Sequence, residues 1–163
     1  MYNFAHNATL REREMTSKDN SKAALIDSLN GLLADTLALY VKTKNFHWHV
    51  RGPQFRSLHL LFDEQAAEIF ALTDMIAERV RKLGGTTLTS IGSIAAKTTI
   101  KNQDDTGLDA MAMVKELFDD NTAYVGTLKA AKELAGEAGD NATDGLLDDW
   151  TDQAEERAWF LFE

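Results

Sequence analysis

Apolar residues recur along this chain at helical spacing in four long stretches. Leu25, Leu29, Leu32, Leu33 and Leu37 form the first stripe, extended by Tyr40 and His47 until Gly52-Pro53 breaks it. Asn20 or Ser21 is the expected N-cap of that helix. A second helix is predicted over about 54–83, ending at Gly84-Gly85. At 1.5 Å per residue it is about 45 Å long. A third, over about 106–135, carries Met111, Val114, Phe118, Val125 and Leu128 on one stripe, and a fourth follows over about 140–162. Between the second and third, about twenty residues hold only one short candidate helix, SIGSIAA. Short connections force antiparallel neighbours, whereas a long one can carry the chain back along the bundle. The pattern therefore predicts an all-α four-helix bundle with a long crossover, rather than its rival, an up-down-up-down bundle with a loose loop.

Residues 1–19 show no periodic apolar face. Arg11, Arg13 and Lys18 balance Glu12, Glu14 and Asp19, so this stretch is expected to be a charge-neutral arm outside a single domain at 20–163. No cysteine is present among 163 residues, which excludes thiolate ligands, thiol nucleophiles and disulfides and leaves His, Asp and Glu as metal donors. The net charge of −9 opposes nonspecific nucleic-acid binding and favours cations. No apolar run approaching about 20 residues was expected, and the N-terminus lacks a basic then apolar leader, so a soluble, unexported protein is the expectation.

On a wheel of the second helix with His59 at zero, the stripe from Leu58 to Leu83 falls near 200–300°, while His59, Asp63, Asp74 and Glu78 lie near 0°, 40°, 60° and 100°. Ala66, Ala67 and Phe70 fill the arc between the two polar pairs, which suits a contact surface better than a solvated face. Asp63 and Asp74 are about 16 Å apart along the axis, yet bonds from N or O donors to a transition metal are about 2 Å. One helix cannot close a site from both pairs. The four positions are symmetric about 68.5, so a second copy packed antiparallel across a two-fold axis would bring His59 and Asp63 of one chain to Asp74 and Glu78 of the other. His47 and His59 are equidistant from Pro53, so a hairpin there adds His47 to the set. Taken singly, each residue has an ordinary reading as a packed or solvated side chain; jointly they suit iron, or less selectively zinc or cobalt.

The stretch Lys44 to Gly85, KNFHWHVRGPQFRSLHLLFDEQAAEIFALTDMIAERVRKLGG, resembles the signature of the Dps family, the mini-ferritins, with HW, RGPQF, the His59 and Asp63 pair and DMIAERVRKLGG in order. Beyond it the similarity is looser but covers nearly the whole chain, including the terminal AWFLFE. The resemblance implies a ferritin-like bundle, a hollow shell of twelve subunits, and ferroxidase sites at two-fold interfaces with ligands at His47, His59, Asp63, Asp74 and Glu78. It further implies oxidation of Fe(II), preferentially by hydrogen peroxide and less well by oxygen, storage of ferric oxyhydroxide, protection against oxidative damage and a cytoplasmic location, free or nucleoid-associated. No E-x-x-H occurs in the chain, so the di-iron site within one subunit of larger ferritins has no anchor.

Trp48, beside a ligand, is a candidate acceptor of an oxidising equivalent or a plain interface aromatic; His49 matches no ligand. Asp140, Asp144 and Asp148 form an i, i+4, i+8 stripe suited to a helix N-terminus, and the resemblance adds a three-fold pore admitting iron, with Asp144 foremost. DNA binding is expected to be weak or absent, because the arm sums to zero, the sequence ends at Glu163 without a basic tail, and twelve copies multiply the −9. Whether His6 binds another metal stays open.

Overall fold

The computed structural model describes residues 3–163, with side chains at 16, 17 and 19–163; of the predicted arm, His6, Arg11, Arg13 and the other side chains at 1–15 and 18 lie outside the described set. Five helices follow in order: α1 (Asn3–His49), α2 (Phe55–Lys82), α3 (Ile91–Lys97), α4 (Ala110–Ala138) and α5 (Asn141–Phe162). Among the described residues there is no strand. The predicted N-caps Asn20 and Ser21 are interior positions of α1, and the Ser21 hydroxyl donates back to the Ser17 carbonyl. No glycine or proline precedes them to stop the helix.

The ends of α2 and α4 obey one rule. After α2, Gly84 at φ 85° lets its N–H reach the Arg81 carbonyl while the Gly85 N–H reaches Val80. After α4, Gly139 at φ 69° does the same with Gly136, and Asp140 with Ala135. α4 starts later than the predicted 106, where Asp109 caps the N–H groups of Met111 and Ala112.

Side-chain pairings fix the directions. His47 meets His59 and Lys44 meets Asp63, so α1 and α2 are antiparallel. Thr36 meets Tyr124 and Lys42 meets Asp120, so α1 and α4 are antiparallel as well. Gln65 meets Arg157 and Arg79 meets Asp140, which makes α5 antiparallel to α2. Hence α2 and α4 run parallel, and only a crossover can join them. It climbs α1 from Asn30, which donates to the Thr86 carbonyl, to Asn45, which donates to that of Gln103. Midway, Asp35, 2% exposed, accepts from the Thr98 hydroxyl at 2.8 Å and from Thr99 through its N–H at 2.6 Å and its hydroxyl at 2.9 Å.

The core is lined by Leu25, Leu29, Leu32 and Leu39 of α1, Phe62, Ile69 and Ile76 of α2, Leu117 and Leu128 of α4, and Trp150 of α5. Met111 and Phe118 were expected on the α4 stripe, but Met111 is exposed and Phe118 only partly buried. The buried positions instead include Met113, Leu117, Asn121 and Tyr124, because polar groups there are paired inside the bundle. Tyr124 shares a 2.7 Å hydrogen bond with Thr36, and Asn121 accepts from Nε of the buried Arg157. Within Asp19–His49, an 18-residue window of mean hydropathy 1.3 is long and apolar enough to cross a membrane, contrary to the sequence expectation. Half of that window is buried, its leucines against α2 and α4.

Candidate metal centre

The α1–α2 hairpin brings two imidazoles together by mutual hydrogen bonding. His47 Nδ1 lies 2.7 Å from the His59 carbonyl and His59 Nδ1 lies 2.8 Å from that of His47, with the rings stacked at 3.8 Å between centroids. A carbonyl only accepts, so each Nδ1 carries a proton in this pairing, and in the neutral imidazole Nε2 then keeps its lone pair. That tautomer is the one a metal needs, with ring orientation set by the partner's backbone.

Asp63 stands beside this pair. Its Oδ1 stands 3.8 Å from His47 Nε2 and accepts from the Lys44 ammonium at 2.6 Å. The Lys44 hydrogen bond holds the Asp63 carboxyl below the usual carboxylate range, against a smaller desolvation effect. Lys44 also lies 5.9 Å from the centroid of the Trp48 ring, which is 62% exposed. Sequence reasoning passed over Lys44, although positions 44 and 63 flank Pro53 almost as evenly as 47 and 59. His49 hydrogen-bonds the Asn45 carbonyl through Nδ1 and is exposed.

Asp74 and Glu78 are also exposed on α2, and Glu78 pairs with Lys82 at 3.2 Å. Eleven residues separate Asp63 from Asp74, about 16 Å along the helix. Among the described residues of one chain, no three His, Asp or Glu side chains converge tightly enough to hold a metal. Between the two polar pairs, Ala67 and Phe70 are exposed as expected, but Ala66 is 1% exposed and belongs to the core side of the helix. Phe70 packs on Tyr40 at 4.9 Å between ring centroids. Beside it lie two adjoining cavities of about 680 and 550 Å³ between α1, α2 and the crossover, sharing Leu37, Phe70, Ile91 and Ile94, and Asp74 lines the larger.

The ferritin-like domain family matches residues 26–163. The DNA protection during starvation protein of Brevibacillus brevis is 38% identical over 133 residues, 82% of this chain and 89% of that one. The chain belongs to the Dps family of ferritin-like proteins. Among solved structures, Dps from Thermosynechococcus elongatus superposes with a TM-score of 0.85 at 29% identity, covering 88% of this chain and 91% of that one. A Dps protein of Vibrio cholerae O1, described as a member of a broad superfamily of ferritin-like diiron-carboxylate proteins, superposes at 0.82 with 29% identity over 87% and 89%. Dps membership makes this a ferritin-like bundle of an iron storage and protection family, and its imidazole and carboxylate donors fit iron.

The acidic stripe of α5 divides in two. Asp140 caps α5 and receives both contacts from Arg79 Nη2, at 2.6 and 2.7 Å, besides the Thr143 hydroxyl. Burial raises its carboxyl, but the Arg79 and Thr143 hydrogen bonds outweigh this and hold it below the usual range. Asp144 and Asp148 share Lys132 at 2.7 and 3.0 Å.

Proposed function

We propose that the protein is a ferroxidase that oxidises Fe(II) with hydrogen peroxide, and less well with oxygen, at sites shared between two subunits. Ferric oxyhydroxide is then stored in a dodecameric shell, and peroxide is removed without releasing radicals. One observation carries this reading: the reciprocal His47 and His59 pairing engages both Nδ1 atoms with backbone carbonyls and leaves Nε2 for a metal, that of His47 lying 3.8 Å from Asp63, with a complementary acid pair on the same helix. His47, His59 and Asp63 of one subunit and Asp74 and Glu78 of its mate then hold the ferrous substrate. Each of two ferrous ions gives one electron to peroxide, whose O–O bond breaks to two hydroxides. The neutral imidazoles donate to the ion, and the carboxylates offset the charge gained as it becomes ferric. Zinc and cobalt compete for the same donors.

Trp48, exposed beside His47, takes up a stray oxidising equivalent. Residues 1–19 act as an arm beyond the 20–163 bundle. Asp144 and Asp148 line the pore that admits iron, whereas Asp140 is held by Arg79 and serves the fold. The shell works in the cytoplasm, binding no membrane, and its −9 per chain keeps DNA binding weak or absent. Iron-dependent loss of peroxide, compared between wild type and a His59→Ala, Asp63→Ala double variant, tests the reading. Slower peroxide consumption in the variant supports it, and equal rates overturn it.

A further inference from the structure

Lys44 is a cation lying against the half-site. Its ammonium sits 2.6 Å from Asp63 Oδ1 with its side chain 19% exposed, and 5.9 Å from the centroid of the Trp48 ring. An ion bound to Asp63 comes within about 2 Å of a carboxylate oxygen, and the ammonium already engages one of the two, Oδ1, so ion and ammonium share a single carboxylate. The half-site's other donors, the two imidazole nitrogens, carry no such partner.

We propose that Lys44 is a tethered cation occupying one of two cation positions in the shared site, so that the second divalent ion binds only by displacing it. The proposal rests on the ferroxidase reading above. Charge points the same way. Asp63, Asp74 and Glu78 with Lys44 and one divalent ion are neutral together, while a second ion leaves excess positive charge that departure of the ammonium relieves. Lys82, which pairs with Glu78, lies in solvent and yields easily, with both side chains about three-fifths exposed. Displacement also withdraws the cation from the Trp48 ring, so Trp48 fluorescence registers the second binding step and not the first.

Equilibrium titration of the assembled protein with Co(II), by calorimetry and tryptophan fluorescence, tests this without turnover. Wild type is expected to show a tight step and a weaker one per site, with the fluorescence change confined to the weaker and absent in Trp48→Phe. Lys44→Met and Lys44→Gln should tighten the second step roughly fivefold, whereas Lys44→Arg keeps two separated steps. An unchanged isotherm in both neutral variants, or a wild-type fluorescence change in the first step, overturns the proposal. Co(II) binding that survives in the His59→Ala, Asp63→Ala variant overturns instead the ferroxidase reading beneath it.

Discussion

Replacing His59 by alanine should separate metal binding from folding, because each imidazole is held by the other residue's backbone. His47 Nδ1 donates to the carbonyl of residue 59, and that carbonyl survives the substitution. The variant loses one side-chain hydrogen bond, His59 Nδ1 to the His47 carbonyl, worth about 0.5–1.5 kcal/mol. It also loses the ring stack at 3.8 Å, about 0.5–1.5 kcal/mol more. Alanine's better helix propensity returns roughly 0.5 kcal/mol. The net loss is therefore about 0.5–2.5 kcal/mol, measured by urea unfolding at fixed protein concentration. Co(II) affinity, in contrast, should fall by at least roughly 100-fold, since a donor is removed from the ion itself. Two results would refute the reasoning. A stability loss above about 4 kcal/mol would make the ring a core element, and unchanged Co(II) affinity would show that its Nε2 binds no ion.

Three further outcomes follow from the same coordinates. Asp35→Ala strips three hydrogen bonds from the crossover and should cost about 3–5 kcal/mol, with faster amide exchange over 86–100; unchanged exchange there contradicts the pinning role. Burial pushes the Tyr124 phenol up to about 12 from 10.0, so between those values the unfolded state ionises first and stability falls by up to about 1.4 kcal/mol per pH unit. Tyr124→Phe should flatten that part of the pH–stability curve, and an unaltered slope refutes the assignment. Asp144→Lys places a positive charge beside Lys132 and should slow iron uptake several-fold while sparing single-turnover oxidation; unchanged uptake removes Asp144 from the pore.

The apolar stripe of α2 and its glycine stop were legible because Gln65 is the one polar member of the buried stripe and Gly84 adopts the left-handed conformation expected after a helix. The crossover was legible from connection length, a consequence of chain geometry rather than of any one residue. α4 was read a turn early and with its stripe rotated toward Met111, although Val114 and Leu128 are buried as expected, since Asn121 and Tyr124 look like surface residues until Arg157 and Thr36 supply their partners. Such pairings join positions 36 or 88 residues apart, beyond any periodicity. In the metal centre, the symmetry of 47 and 59 about Pro53 was readable from numbers alone. The ammonium on Asp63 obeyed the same arithmetic but escaped because lysine is no metal donor. Asp140 illustrates the opposite failure: its stripe is real, yet Arg79 claims its carboxylate across the bundle.

The central claim is that two polypeptides complete each site, and subunit complementation tests it most directly. One variant carries His59→Ala with Asp63→Ala, the other Asp74→Ala with Glu78→Ala, and neither has an intact site as a homo-oligomer. When the two are coassembled in equal amounts, half the two-fold pairs are mixed and each mixed pair regains one complete site of its two. The account predicts inactive parents and a coassembly with about a quarter of wild-type peroxide-dependent Fe(II) oxidation. A mixture no more active than its parents, at the same native mass, would show that each chain builds its site alone.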